Sequence, residues 1–315
     1  MHKKKILITW HYLLPLKKKY KKFFKKNSII YDIWSVNPSL NESQLVKVIH
    51  KYDGIICGDD EITKKVIDKA KKLKIISKWG TGLNSIDVAY AKKKGIKVYN
   101  SPKAFVESVT VYAIGMLINL SRGLFKIDSL VKKDKWEKHS GIELKDKNLG
   151  IIGFGNIGKN IAKVGNSFGM NILINDIDKK LKTNVLKNKY SFISKNQILK
   201  KSDFLILATD LNERSFHLLS FKEFDIIKDN LILINISRGP VINEAALINK
   251  IKKNQIGGIG LDVFENEPLQ KNHIFKKFTN SILSSHNAFN TEEAVYRTND
   301  DCVLSLIEGF KKQSC

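Results

Sequence analysis

Three segments in the second half of the chain each close an apolar run and carry a side chain able to act on a small charged molecule. They are Asn235-Ile236-Ser237-Arg238-Gly239-Pro240, Leu261-Asp262-Val263-Phe264-Glu265-Asn266-Glu267-Pro268 and Ser284-Ser285-His286-Asn287. Together they offer a permanent cation, a choice of two carboxylates and an imidazole whose charge changes near neutrality. Taken singly each has a plainer reading: His286 as a satisfied core histidine, Arg238 as a surface residue at a helix start. Taken in order at the ends of parallel strands, they converge on the crevice where open α/β sheets bind ligands.

A fourth segment suits a cofactor. Leu149 to Ile152 runs into Gly153-Phe154-Gly155-Asn156-Ile157-Gly158 and then into a helical pattern with Ile157, Ile161 and Ala162 near one face. This is the strand–turn–helix setting that gives G-x-G-x-x-G a meaning. Gly153 allows the tight turn, Gly155 lets backbone approach a pyrophosphate, and Gly158 lets the helix pack on the strand. Free N–H groups at the helix start face the phosphates. Asp176, 23 residues beyond Gly153, is placed for the adenosine ribose hydroxyls, favouring NAD over NADP.

The elements that position these residues alternate along the chain. Strands are expected at Ile6–Trp10, Ile29–Val36, Gly54–Cys57, Ile75–Lys78 and Ile96–Tyr99, with helices at Lys17–Lys26, Ser43–His50, Ile62–Leu73 and Val88–Lys94. One long apolar helix, Ser108 to Phe125, follows and is expected to pack along a domain junction; Lys132 to Asp146 reads as a polar excursion. Six further strands are expected, at Leu149–Ile152, Asn171–Asn175, Phe204–Ala208, Leu231–Asn235, Gly258–Asp262 and Ile282–Ser284. Helices fall at Asn156–Phe168, Gln197–Lys201, Lys222–Ile227 and Glu244–Lys252, the last capped by Asn243, and Glu292–Lys312 is capped by Thr291. The fold class is α/β, with two doubly wound parallel sheets, Rossmann-like or flavodoxin-like. The expected domains are 103–287 for the dinucleotide and a discontinuous 1–102 plus 288–315 for the substrate.

Composition narrows the partners. A formal net charge of +24 invites a nucleic-acid reading, but the 55 basic residues include only four arginines (Arg122, Arg214, Arg238, Arg297) and no recognition motif. A solvated lysine surface is the better reading, and no specific nucleic-acid partner is expected. Cys57, Cys302 and Cys315 are odd in number and far apart, which suggests neither a disulfide framework nor a metal site and fits a reducing, cytoplasmic setting. The basic start resembles a signal peptide only superficially, because His11 and Pro15 interrupt its apolar run, and no stretch is long and apolar enough to span a membrane.

The chain resembles the D-isomer-specific 2-hydroxyacid dehydrogenases, the family that includes D-3-phosphoglycerate dehydrogenase. The likeness covers nearly the whole chain and includes Ser77-Lys78-Trp79-Gly80-Thr81-Gly82-Leu83-Asn84-Ser85-Ile86-Asp87 and Lys94-Gly95-Ile96-Lys97-Val98-Tyr99-Asn100-Ser101-Pro102. The resemblance implies an NAD-dependent hydride transfer at C2 of a small anionic 2-hydroxyacid or 2-ketoacid, in a cleft between the domains of a homodimer. Arg238 would hold the substrate carboxylate and polarise the carbonyl, His286 would be the general acid/base, and Glu267, rather than Glu265, would be its partner. Asp262 would anchor the nicotinamide carboxamide, Thr110 would touch the nicotinamide, and Gly80, Thr81 and Gly82 would offer N–H groups to the carboxylate. Lys78 is a nearby cation for the substrate.

Departures from the family pattern are local. Ser285 stands where proline usually precedes the histidine, Val111 replaces a glutamate, and the proline usual near Asp210 is missing. Asp59-Asp60 occupies a place where one phosphoglycerate subgroup has a basic residue, and would repel a phosphate if it faced the site. A phosphoglycerate-like substrate is thus allowed but not favoured. Alternatives are a relative acting on formate or phosphite, and an NAD-sensing corepressor-type protein on the same fold. His11, His139, His217 and His273 read as structural.

Overall fold

The structure, a computed structural model, describes residues 3–34 and 39–313, without the side chains of residues 14–18. The chain divides into two compact units, Met1–Phe105 with Asn290–Cys315, and Val106–Phe289.

The first unit is a parallel five-stranded sheet. Its strands are β1 (Lys4–Ile8), β2 (Ile29–Ile33), β3 (Gly54–Cys57), β4 (Ile75–Lys78) and β5 (Lys97–Tyr99), in the order β2-β1-β3-β4-β5. Every residue of β3 and β4 is buried, as continuous apolar runs covered on both faces should be. Leu45, Val66 and Ile67 cover one face with Ile55 and Ile76. The helix Glu292–Lys311 covers the other: Ser77 Oγ donates to the Cys302 carbonyl at 3.0 Å and Trp79 Nε1 to Asn299 Oδ1 at 2.8 Å. The expected strand from Ile29 stops at Ile33, and its last residues, 35 and 36, lie outside the described residues. The helix expected from Ile62 begins at Lys64, because Ile62 bridges to Ile86 and Thr63 takes the N-cap.

The second unit holds seven parallel strands, one more than expected. They are β6 (Asn148–Ile152), β7 (Asn171–Asn175), β8 (Ser191–Phe192), β9 (Phe204–Leu207), β10 (Ile232–Asn235), β11 (Gly258–Leu261) and β12 (Ser281–Leu283), in the order β12-β11-β10-β9-β6-β7-β8. Read from β8, this is the doubly wound dinucleotide order with one added strand. The missed strand, β8, is two residues long and pairs only with Leu173 and Ile174, too short to show any alternation.

The single helix expected from Ser108 to Phe125 is two helices, Val106–Arg122 and Leu124–Val131. Gly123 at φ +64° separates them, a left-handed conformation that a right-handed helix cannot carry. The first is a core helix: Met116 and Leu120 lie against Gly260 on β11, so close that a Cβ there would crowd both. The second has no buried residue. Among the described residues no single helix is long and apolar enough to cross a membrane; the bent pair passes only by length and composition. Asn243 and Thr291 cap their helices as expected, accepting from the Ala246 and Ala294 N–H groups.

Candidate active site

The cofactor loop is built for a close backbone approach. Gly153, at φ +98°, lies so near β9 that a Cβ would stand 2.5 Å from the Ala208 carbonyl oxygen. A Cβ on Gly158 would collide with the Gly153 carbonyl oxygen, so only glycine lets the helix Asn156–Ser167 start this near the turn. At Gly155 a Cβ would meet nothing within 4 Å, and Gly155 and Asn156 are exposed while Ile157 is half-buried. The space beside Gly155 therefore lies at the start of the helix, the place a pyrophosphate takes. Asp176 follows β7 directly, and its Oδ2 accepts from the Phe154 N–H at 2.7 Å, tying it to the glycine turn. Thr110 is buried on Val106–Arg122, where its hydroxyl accepts from Asn160 Nδ2 at 3.3 Å. These residues fit a dinucleotide.

Past the strand ends of the same unit, Glu267 and His286 meet. His286 Nδ1 lies 3.0 Å from Glu267 Oε2, and Glu267 Oε1 accepts from the Phe264 N–H at 3.1 Å. Burial alone would raise the Glu267 carboxyl; the His286 hydrogen bond and charge, the Phe264 N–H and the charge of Arg238 together hold it below the usual glutamate range. With Nδ1 committed to Glu267, Nε2 is the ring nitrogen left to face a ligand. Arg238 is half-buried three residues past the end of β10, its Nη1 donating to the Ser237 carbonyl at 2.7 Å.

Asp262 has a task the sequence did not reveal. It is buried, and its carboxylate accepts from the Asn287 N–H at 2.8 Å and the Ala288 N–H at 3.1 Å, while its carbonyl accepts from the His286 N–H at 2.8 Å. His286 stands at φ +56°, a region that a residue with a Cβ occupies only when its surroundings fix it. Asp262 supplies that fixing from both sides of the peptide chain, whatever else its oxygens contact.

In the first unit, the residues expected to meet the substrate stand together past β4. Gly80 is at φ +111°, its carbonyl accepting from the Ser101 N–H, and Thr81 accepts at its carbonyl from Asn100 Nδ2 at 2.7 Å. Gly82 is half-buried beside them. Lys78 is buried, its Nζ donating to the Trp79 carbonyl at 2.8 Å and pairing with Asp59 at 3.0 Å. Of Asp59 and Asp60, whose repulsion of a phosphate depends on their facing the site, each is engaged differently. Asp60 is buried and spent on Thr9 Oγ1, the Leu40 N–H and the Gly58 N–H, whereas Asp59 is 69% exposed and neutralised by Lys78.

Glu265, the rival for the histidine, is bound to His217 instead, Oε1 to Nε2 at 2.8 Å. His217 and His273, read as structural, are both paired with glutamates. No spacing signal relates them, since the partners lie 48 and 29 residues apart in sequence.

Comparison with known proteins agrees with this geometry. A family model described as D-isomer specific 2-hydroxyacid dehydrogenase, NAD binding domain, matches residues 114–288. The chain is 32% identical over 278 residues to a glyoxylate reductase of Thermofilum pendens, covering 86% of this chain and 82% of that one. It is 35% identical over 280 residues to a hydroxypyruvate reductase of Thermotoga maritima, covering 87% and 89%. Among solved structures it is similar to a D-lactate dehydrogenase of Aquifex aeolicus complexed with NAD and lactic acid, with a TM-score of 0.84, 27% identity, and 98% and 96% of the two chains covered.

Proposed function

The chain belongs to the D-isomer specific 2-hydroxyacid dehydrogenases, and from that premise we propose that it reduces a small, unphosphorylated 2-ketoacid, glyoxylate or hydroxypyruvate in type, to the 2-hydroxyacid. It is an oxidoreductase of CH–OH donors, and its cofactor is NAD. When bound, the reduced nicotinamide supplies the hydride that reaches C2.

The protein's residues do the rest. The glycine turn and the start of the helix Asn156–Ser167 take the pyrophosphate, and Asp176 takes the ribose hydroxyls. Arg238 grips the substrate carboxylate with its planar fork and polarises the C2 carbonyl; in the first unit, the turn Gly80–Gly82 has amides of the kind that suit a carboxylate. As the carbonyl π bond opens, His286 gives the proton on Nε2 to the oxygen, and the carboxylate of Glu267 holds the imidazolium before that transfer. The observation that carries this reading is the 3.0 Å pairing of His286 Nδ1 with Glu267 in the unit that bears the glycine loop. The preference against a phosphorylated substrate is supported by Lys78, whose charge is already matched by Asp59.

The test is NADH consumption with glyoxylate, pyruvate, hydroxypyruvate and 3-phosphohydroxypyruvate, each beside His286→Ala. Glyoxylate or hydroxypyruvate is expected to lead, and His286→Ala to lose about two orders of magnitude or more in kcat. A lead for the phosphorylated acid, or an unimpaired His286→Ala, would sink the reading.

A homodimer and a cytoplasmic setting belong to the same proposal. The helix Leu124–Val131 and the segment after it expose Leu124 (49%), Phe125 (65%), Val131 (44%) and Trp136 (88%), large apolar groups that a second copy of the chain would cover. Cys57 and Cys302 are buried free thiols, as suits a reducing compartment.

A further inference from the structure

Two carboxylates beside the His286–Glu267 pair have no part in the steps above. Glu265 and Glu244 each accept from the other's backbone: the Glu265 N–H donates to Glu244 Oε1 at 2.9 Å, and the Glu244 N–H to Glu265 Oε1 at 3.3 Å. A histidine closes each end. His217 Nε2 lies 2.8 Å from Glu265 Oε1, and His273 Nε2 lies 3.6 Å from Glu244 Oε2. All four side chains are partly or largely shielded, with 13–33% of their surface exposed. This is more than a solvated surface pair, because the bonds are interlocked and one carboxylate, Glu244, is raised by burial and by the charge of Glu265.

The array touches two of the three segments that bear reacting groups. Glu265 stands two residues before Glu267, and the N–H of Phe264, one residue earlier, donates to Glu267 itself. The short turn from Phe264 to Glu267 is therefore fastened on one side to Glu244 and His217 and engaged on the other with His286. The His217 N–H donates to the Pro240 carbonyl at 2.8 Å, two residues past Arg238. Between them, Gly239 lies so tightly on the Phe264–Glu265 peptide that any Cβ would overlap it. Movement of Glu265 would thus be felt at Glu267 before it was felt in the sheet core.

We propose that Glu265 is a positioning residue: locked to Glu244 and His217, it holds the Phe264–Glu267 turn so that Glu267 presents its carboxylate to Nδ1 of His286. The proposal rests on the reading of His286 as the proton donor, so its test needs one readout free of turnover. That readout is the ring 15N NMR of His286 in substrate-free protein at a pH where the ring is neutral, assigned by the signal lost in His286→Ala. Glu267 fixes the proton on Nδ1. In Glu265→Ala the ring is expected to drift toward the other tautomer, as in Glu267→Ala, with kcat down about tenfold and NADH affinity within about twofold. Glu265→Gln, whose amide oxygen still accepts from the Glu244 N–H, is expected to restore most of both. Should Glu265→Ala fail to fold, His217→Ala, which removes only the outer partner, takes its place with a smaller drift of the same sense. A wild-type tautomer in whichever of these two variants is folded overturns the proposal. A drift without turnover on any 2-ketoacid would uphold the positioning and remove the functional reading instead.

Discussion

His286 occupies a backbone conformation that costs a residue with a Cβ about 1 kcal/mol or more, and the bonds that Asp262 accepts from the N–H groups of His286, Asn287 and Ala288 offset that cost. Its partner is tuned as well. Because the Glu267 carboxyl is held below its ordinary value, the pairing stabilises the folded protein at neutral pH, and this contribution is lost as pH falls through the lowered value. Glu267→Gln is therefore expected to flatten the acid side of the stability curve, measured by urea denaturation across about pH 3 to 7. An unchanged curve would mean that the pair adds nothing to folding. At Arg238, lysine would keep the charge and lose the fork; Arg238→Lys is expected to cost about tenfold or more in kcat/KM for the ketoacid, with NADH binding kept. At this scale the sequence made Arg238, Glu267 and His286 legible, because each follows an apolar run that the fold turns into a strand. The Glu244–Glu265–His217–His273 array was not legible: it is assembled from three loops and a helix start, and nothing local to any one of them announces the others.

Among the elements, buried strands and some capped helices were readable to within a residue or two, as at β3, β4 and β7 and at the helix Glu244–Lys252, whereas the helix expected over Ile62–Leu73 spans only Lys64–Lys69. Where the reading failed, the local signal was short or ambiguous. The edge strand β8 has two residues, and Gly123 sits in an apolar run where a glycine can be either tolerated or a break. Its φ of +64° decides for the break. The strictest demand falls on Gly158, whose missing Cβ is what lets the helix Asn156–Ser167 begin beside the Gly153 carbonyl. Gly158→Ala is expected to weaken NADH binding about tenfold or more and to lower stability by roughly 1–3 kcal/mol, the usual range for overpacking. Fluorescence titration with NADH and thermal unfolding measure the two effects. Equal affinity would mean that the turn can shift without disturbing the phosphate donors.

For the whole molecule, the surface carries an excess of lysine and, on Leu124–Val131 and at Trp136, an apolar patch out of keeping with it. If a second copy covers that patch, Phe125→Asp with Trp136→Ser is expected to convert a dimer into a monomer, read by light scattering after gel filtration, with the NADH affinity retained. A wild-type chain that is already monomeric would end the proposal. The helix Glu292–Lys311 has a different consequence. Its Leu306 and Phe310 lie against Gly54 on β3, and its carbonyl at Cys302 takes the Ser77 hydroxyl of β4, so one face of the first sheet is closed by residues made after all of Val106–Phe289. During synthesis the second unit, contiguous in sequence, is free to close on its own. The strands that leave the ribosome first must wait, one apolar face still open, and are the last to be finished.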